Sequence, residues 1–192
     1  MKTRAGLFFG SFNPIHSGHM MLAAYMLHFT DLNEVWFVVS PHNPLKEKTA
    51  LLADYHRLEL VYRAVDDYPG FRVSDIEFRM PKPSFTIDTL VRLSEKNPGH
   101  SFSLICGADS LQSFRKWKNY DQILANYRLL VYPRQHAGTT EFDGHPSVQM
   151  VQAPRIEISS SFIRHGIATG RDMRFFLPEK VYRYISDMHF YE

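Results

Sequence analysis

Residues 7–19 read LFFGSFNPIHSGH, and this stretch decides the fold that we expect. An apolar run that ends in Gly10 is typical of a buried strand entering a tight loop. From Gly18 to Phe29 apolar residues recur at helical spacing, which predicts a helix directly after that loop. A strand, a loop and a helix in this order make the first unit of an alternating β and α pattern.

The same alternation continues along the chain. We predict further strands at residues 34–39, 71–74, 100–106, 128–132 and 148–151. Helices are predicted at residues 54–65, 86–96, 110–117 and 120–126, one that Ser159 caps, and a last one that Pro178 begins. Because the strands are uniformly apolar, they indicate a parallel sheet covered on both faces. We therefore expect an α/β fold with a doubly wound parallel sheet, in a single domain over residues 1–192 with a helical C-terminal part at about 159–192.

Composition excludes several classes of protein. The chain has 192 residues, of which 44% are apolar, and its 22 Lys and Arg against 20 Asp and Glu leave a net charge of +2. This composition supplies a core and argues against a disordered tail or a polyelectrolyte-binding arm. No apolar run approaches the ~18 residues of a membrane span, so no membrane partner is predicted. A single cysteine, Cys106, favours a reducing compartment, and we predict a cytoplasmic protein.

The first loop has the chemistry of a phosphate site. Ligands of such sheets bind beyond the carboxyl ends of the strands, and a helix N-terminus there favours phosphate. Gly10 and Gly18 allow the backbone to approach a ligand, and His16 and His19 lie three residues apart, so their imidazoles lean to one side. Near a helix N-terminus we expect them to be neutral donors. Surface histidines and metal ligation are the alternatives, although no Glu or Cys lies nearby.

A second segment, residues 158–164, reads ISSSFIR. Backbone N–H groups and hydroxyls at a helix start can hold the β- and γ-phosphates of a nucleotide, while Arg164 neutralises their charge. The alternative is an ordinary capping serine followed by an arginine in solvent.

These segments carry a resemblance. Residues 10–19 resemble the G-x-F-x-P-x-H-x-G-H signature of the nucleotidylyltransferase superfamily, and residues 158–164 resemble its I-S-S-[ST]-x-[IV]-R element. Between them, four segments are similar to those of bacterial nicotinate-nucleotide adenylyltransferases. They are PHNPLK at 41–46, PSFTIDTL at 83–90, GADSL at 107–111 with Trp117 after it, and the Pro133–Arg134 step.

The resemblance implies a Rossmann-like fold and the transfer of AMP from ATP to nicotinate mononucleotide, giving nicotinate adenine dinucleotide and pyrophosphate. The acceptor phosphate is largely dianionic at neutral pH, so the attack needs no general base. The implied catalytic residues are His16, His19, Lys46 and Arg164. The implied ATP-binding residues are Gly10, Ser11, Phe12, His16, Gly18, His19, Gly107, Asp109, Ser159, Ser160, Ser161, Ile163 and Arg164. The implied acceptor-binding residues are Lys46, Ser84, Thr86, Trp117 and Arg134. Mg²⁺ is expected on ATP oxygens and water, with no metal ligand from the protein.

Other functions stay open at this point. A different superfamily member, such as a phosphopantetheine adenylyltransferase, would share the ATP motifs but has no use for a stacking Trp117. The basic run at residues 115–118 is compatible with an RNA-binding module, although the low net charge argues against a nucleic-acid partner. The ten histidines also leave a metalloprotein open. The sequence does not decide between the acid and amide forms of the acceptor, and it leaves homo-oligomer formation open.

Overall fold

The computed structural model describes residues 2–41, 51–66, 68–135 and 137–192. Its strands are β1 Thr3–Gly10, β2 Glu34–Val39, β3 Phe71–Ser74, β4 His100–Gly107, β5 Arg128–Tyr132 and β6 Val148–Met150. Its α-helices are α1 Ser17–Phe29, α2 Asp54–Val65, α3 Thr86–Lys96, α4 Ala108–Gln112, α5 Tyr120–Asn126, α6 Ser160–Ala168 and α7 Glu179–Asp187. Short 3-10 turns lie at Ile76–Arg79, Phe114–Lys116 and Arg174–Phe176. Among the described helices, none has the length and apolar character that crossing a membrane requires.

The strands form one sheet in the order β3-β2-β1-β4-β5-β6, and every pair in it is parallel. Phe8 of β1 is in register with Phe37 of β2 on one side and with Ile105 of β4 on the other. After β3 the chain crosses to β4 on the other side of β1, so the switch point of this doubly wound sheet lies between β1 and β4. The predicted α/β fold class is confirmed.

Two apolar cores cover the two faces of this sheet. Phe8, Phe37 and Ile105 point into the core formed with α1, α2, α6 and α7. Their strand neighbours Leu7 and Leu104 point into the opposite core, which α3, α4 and α5 complete. Because successive residues of a strand face opposite sides, a sheet buried on both faces needs apolar residues at every position. This requirement explains the uniformly apolar strands of the sequence.

The predicted helix at residues 110–117 is wrong beyond Gln112. The helix α4 ends at Gln112, a 3-10 turn follows, and Trp117 has extended backbone angles. Phe114 explains the break, since it is fully buried with its ring centroid 5.4 Å from that of Phe142 and 6.0 Å from that of Tyr120. Burial of this ring in the core turns the chain out of the helical path.

Candidate functional site

A cavity of about 370 Å³ lies between the loop after β1 and the start of α6. Nine predicted site residues line it: Ser11, His16, Gly18, His19, Arg134, Ser159, Ser160, Ser161 and Arg164. The two sequence segments that were expected to meet therefore share one cavity, although about 140 residues separate them in the chain. Its position beyond the carboxyl ends of β1 and β5 is the one that a doubly wound sheet favours for a ligand.

Hydrogen bonds to backbone carbonyls join α6 to the first loop. The Arg164 guanidinium donates from Nη1 to the Asn13 carbonyl oxygen at 2.8 Å, and the Ser160 hydroxyl donates to the Pro14 carbonyl oxygen at 2.9 Å. Ser159 is the N-cap, because its Oγ accepts from the Phe162 amide at 3.1 Å, which confirms the predicted cap. The open N-terminus of α6 and the Arg164 side chain are thus fixed toward the same cavity.

The two histidines lie against each other at the cavity wall. Their ring centroids are 3.7 Å apart and the planes are inclined by 29°, so the imidazoles are stacked on one side as the spacing predicted. Burial, with a smaller contribution from the nearby Arg134 cation, lowers the pKa of His16 to about 4. His16 is therefore neutral at physiological pH, although the main cause is desolvation and not the helix N-terminus.

His16 also carries an unsatisfied polar atom. The ring is 4% exposed, and its Nδ1 is the one buried side-chain nitrogen or oxygen in the described ranges without a hydrogen-bond partner. A buried polar atom without a partner costs about 1–3 kcal/mol, so this atom indicates a place that a ligand or water completes.

A backbone contact fixes the tautomer of His19. The His16 amide donates to Nδ1 of His19 at 3.2 Å. Since Nδ1 is the acceptor, the proton of the neutral ring must be on Nε2. The His19 ring is held edge-on by Phe12, at a centroid distance of 5.2 Å, and by Phe8, at 5.8 Å. The orientation of the His19 ring at the cavity is thus fixed by a backbone amide and by two aromatic side chains.

Gly10 and Phe12, both predicted ATP-binding residues, are not among the residues that line the cavity. Phe12 is 2% exposed and adopts a positive φ of 46°, which places its ring beneath the loop and outside the lining of the cavity. A Cβ at Gly10 would lie 2.9 Å from that ring, so the glycine makes room for Phe12. Gly18 does lie in the wall, where a Cβ would be 3.1 Å from Nδ1 of His16.

Three further nucleotide residues of the prediction lie outside the cavity wall. Asp109 has a largely exposed side chain with an oxygen 3.9 Å from Nε of Arg134, which does line the cavity. Gly107 lies under the same arginine, since a Cβ there would be 3.1 Å from its Cγ. Ile163 is fully buried in the core, where it anchors α6. Lys46, predicted as a catalytic and acceptor residue, lies outside the described residues.

The predicted acceptor residues Ser84, Thr86 and Trp117 do not line the cavity. Next to them in sequence, Lys118 Nζ pairs with the Asp88 carboxylate at 2.8 Å and lies 4.9 Å from the Phe85 ring centroid. Trp117 is half-buried, and its ring centroid is 5.2 Å from that of Phe114. An ion pair thus connects the loop that carries Trp117 with the first turn of α3.

Sequence reasoning missed Arg57, which is fully buried in α2. It donates to the carbonyl oxygens of Ser11, Ser40, Pro41 and Leu52, and it pairs with Asp54. Each of these carbonyls belongs to a segment that follows β1 or β2 or precedes α2. The sequence did carry one indication that Arg57 is buried. It lies three and four residues before the buried Leu60 and Val61, and this spacing places it on the same face of the helix.

The donor set of the cavity does not favour a metal held by the protein. No group of three or more His, Cys, Asp or Glu side chains that could hold a metal is found over the described ranges. The cavity wall there contains histidines, serines and arginines and no carboxylate, whereas Mg²⁺ prefers oxygen ligands of carboxylates, phosphates and water.

Comparisons with known proteins agree with the resemblance seen in the sequence motifs. The profile of the cytidylyltransferase-like family matches residues 7–166. A Flavobacterium johnsoniae protein named probable nicotinate-nucleotide adenylyltransferase is 48% identical over 191 residues, which cover 98% of this chain and 99% of that protein. A Bacteroides fragilis protein of the same name is 47% identical over 184 residues, covering 96% of this chain and 92% of that protein.

Solved structures show the same fold. The nicotinic acid mononucleotide adenylyltransferase of Plasmodium falciparum complexed with NaAD superposes with a TM-score of 0.82 at 19% identity, covering 98% of this chain and 97% of that one. The same Plasmodium enzyme complexed with APC gives a TM-score of 0.81 at 18% identity, covering 100% and 98%.

Proposed function

The chain belongs to the nicotinate-nucleotide adenylyltransferases of the cytidylyltransferase-like family, and from this membership we propose its reaction and the roles of its residues. It transfers AMP from ATP to nicotinate mononucleotide and releases pyrophosphate, a step of NAD biosynthesis. The observation that carries the assignment of roles is the shared cavity of the His16–His19 turn and the Ser159–Arg164 turn.

The chemistry is an in-line displacement at the α-phosphorus. An oxygen of the acceptor phosphate forms the new P–O bond, and the bond between the α-phosphorus and the bridging oxygen of pyrophosphate breaks. The acceptor phosphate, whose second pKa is about 6, is already largely deprotonated, so no base is required. Nε2–H of His19 donates to the α-phosphate, where negative charge is held in the transition state.

The leaving pyrophosphate is stabilised from α6. The free amides at the N-terminus of α6 and the Arg164 guanidinium face the cavity and offset charge on the β- and γ-phosphates. Since the described residues of the cavity wall include no carboxylate, Mg²⁺ would be carried by the triphosphate oxygens and water, and it would supply further neutralisation of their charge. We assign Lys46 to the same phosphates from the sequence resemblance alone.

In the acceptor site, the cationic ring of the substrate meets an aromatic side chain of the protein. The pyridinium ring of nicotinate mononucleotide is positively charged, and a cation–π contact with Trp117 at a desolvated site is worth about 2 kcal/mol. Backbone amides at the start of α3, near Ser84 and Thr86, receive the ring carboxylate. Arg134 lies at the cavity close enough to lower the pKa of His16, which suits it to the acceptor phosphate.

A panel of phosphorylated acceptors tests this proposal. The purified protein is incubated with ATP, Mg²⁺ and either nicotinate mononucleotide, nicotinamide mononucleotide or phosphopantetheine, and dinucleotide and pyrophosphate are quantified. We expect nicotinate mononucleotide to exceed phosphopantetheine in kcat/KM by at least about 30-fold, the equivalent of the ring contact. Comparable rates with phosphopantetheine would transfer the assignment to that branch of the superfamily.

The RNA-binding alternative loses its main support. Within the basic run at residues 115–118, Arg115 pairs with Glu141 and Lys118 pairs with Asp88, so two of its cations are already compensated. The absence of a nucleic-acid partner, a cytoplasmic location, the single domain over residues 1–192 and homo-oligomer formation stay predictions.

A further inference from the structure

The segment after α7 folds back onto the first loop. The Tyr191 hydroxyl donates to Oδ1 of Asn13 at 2.8 Å, across 178 positions of sequence. The return is built by left-handed backbone at His189, with φ 52°, and at Tyr191, with φ 69°. Between them the Phe190 amide donates to the Ile185 carbonyl oxygen at 3.1 Å, and the Phe190 ring packs 4.6 Å from that of His56.

Asn13 forms hydrogen bonds with three separate segments of the chain. It is 3% exposed, and its Oδ1 accepts from the Leu52 amide at 3.2 Å as well as from Tyr191. Its own carbonyl oxygen receives Nη1 of Arg164 at 2.8 Å. The side chain of Asn13 is therefore held by the segment after α7 and by Leu52 just before α2, while its backbone carbonyl holds the guanidinium at the cavity.

Burial raises the pKa of the Tyr191 hydroxyl, so this group stays protonated and remains a donor throughout the neutral range. Loss of this hydroxyl removes the shorter of the two hydrogen bonds to Oδ1 and leaves the Leu52 amide as the other donor, so the amide oxygen is held less firmly in place.

We propose that Tyr191 is a positioning residue of the nucleotide site: by fixing Asn13, it fixes the carbonyl oxygen that orients Arg164 toward the phosphates. Tyr191 does not line the cavity, so it acts through Asn13 and Arg164. The proposal rests on the proposed function only in that Arg164 meets the triphosphate of ATP.

Two matched variants separate positioning from general stability. Tyr191→Phe removes the hydroxyl that reaches Asn13. Tyr184→Phe is the control, since its hydroxyl bonds to Nδ1 of His56 at 2.9 Å and likewise ties the C-terminal elements to α2, but it does not touch the first loop. Both changes remove one oxygen and keep the ring, so both proteins should fold.

The measurement is the affinity for α,β-methylene-ATP with Mg²⁺, by titration calorimetry, in the absence of acceptor. We expect Tyr191→Phe to weaken binding by about threefold to tenfold, the range of one lost hydrogen bond, and Tyr184→Phe to leave it within about twofold. Equal affinities in Tyr191→Phe and the unchanged protein, or equal losses in the two variants, would overturn the proposal.

A double-mutant cycle tests whether Tyr191 influences nucleotide affinity through Arg164. If Tyr191 acts through Arg164, Tyr191→Phe should change nucleotide affinity by less than about twofold in an Arg164→Lys background. Full additivity of the two changes would contradict that route. Because this titration contains no acceptor, it stands even if the acceptor panel assigns a different phosphate monoester, and the two proposals fail separately.

Discussion

At the scale of single residues, the site depends on two imidazoles with different tasks. His16 is buried, has a lowered pKa and presents an unsatisfied Nδ1. His19 accepts a backbone hydrogen bond on Nδ1, and its ring lines the cavity. One backbone amide thus determines which nitrogen of His19 can meet a phosphate.

The side of the His19 ring that donates can be tested directly. His19→Ala should lower kcat by about 10²–10³, as for the loss of one oxyanion donor. The amide nitrogen of Gln can take the place of Nε2, whereas that of Asn takes the place of Nδ1. We therefore expect His19→Gln to retain more turnover than His19→Asn in a steady-state pyrophosphate assay, and the reverse order would show that Nδ1 is the donor.

The buried His16 predicts how stability depends on pH. Its pKa is about 4 in the folded protein against 6.5 when exposed, so between these values the unfolded chain binds the extra proton. Its contribution to the free energy of unfolding is therefore fully present above pH 6.5 and is lost as pH falls to about 4, by roughly 3 kcal/mol. Urea denaturation from pH 7 to pH 4 should show this loss in the unchanged protein and not in His16→Asn. If the free energy of unfolding falls equally with pH in the two proteins, the lowered pKa of His16 is contradicted.

At the scale of elements, the site is a set of loops held to one another by backbone carbonyls. Arg164 joins α6 to the first loop, and Arg57 joins the segments around β1, β2 and α2. Since carbonyl oxygens are present whatever the side chain, these connections leave no motif at the accepting positions.

Arg57 makes a prediction about stability. Lys at this position keeps the charge but loses the planar fork, and it leaves several buried carbonyl oxygens unsatisfied. Arg57→Lys should reduce the free energy of unfolding by about 2–3 kcal/mol in a denaturant titration. Arg63→Lys in the same helix is the control, because its pair with Glu59 is partly exposed and should be worth less than about 0.5 kcal/mol. Equal effects of the two changes would refute this account of Arg57.

Trp117 makes a prediction about substrate selectivity. Trp117→Ala should raise KM for nicotinate mononucleotide by about tenfold or more and leave KM for ATP unchanged, because the ring contact concerns only the acceptor. Trp117→Phe keeps an aromatic face, so its KM for nicotinate mononucleotide should lie between those of the unchanged protein and Trp117→Ala. An unchanged acceptor KM in Trp117→Ala would remove Trp117 from the site.

Local motifs could be predicted from the sequence, and long-range hydrogen bonds could not. The turn at 10–19 and the cap at Ser159 were visible because their chemistry lies within a few consecutive residues. The contact of Tyr191 with Asn13 was hidden, since neither side chain carries a motif of its own and 178 positions separate them. The break before Trp117 was also missed, because it depends on tertiary burial of Phe114.

At the scale of the whole molecule, sheet topology brings the pieces together. The order β3-β2-β1-β4-β5-β6 places the loops after β1 and β5 at one edge of the sheet, and the long path back to α6 returns the chain to the same edge. The molecule carries a net charge of only +2, so the attraction for a triphosphate is local, from the N-termini of α1 and α6 and from Arg134 and Arg164.

A crystal structure of the complex with α,β-methylene-ATP and Mg²⁺ tests most directly whether the His16–His19 turn and the Ser159–Arg164 turn bind the same nucleotide. We predict the α-phosphate within hydrogen-bond distance of Nε2 of His19, and the β- and γ-phosphates at the N-terminus of α6 beside Arg164. A nucleotide bound away from this cavity, or one that touches only one of the two turns, would contradict the account.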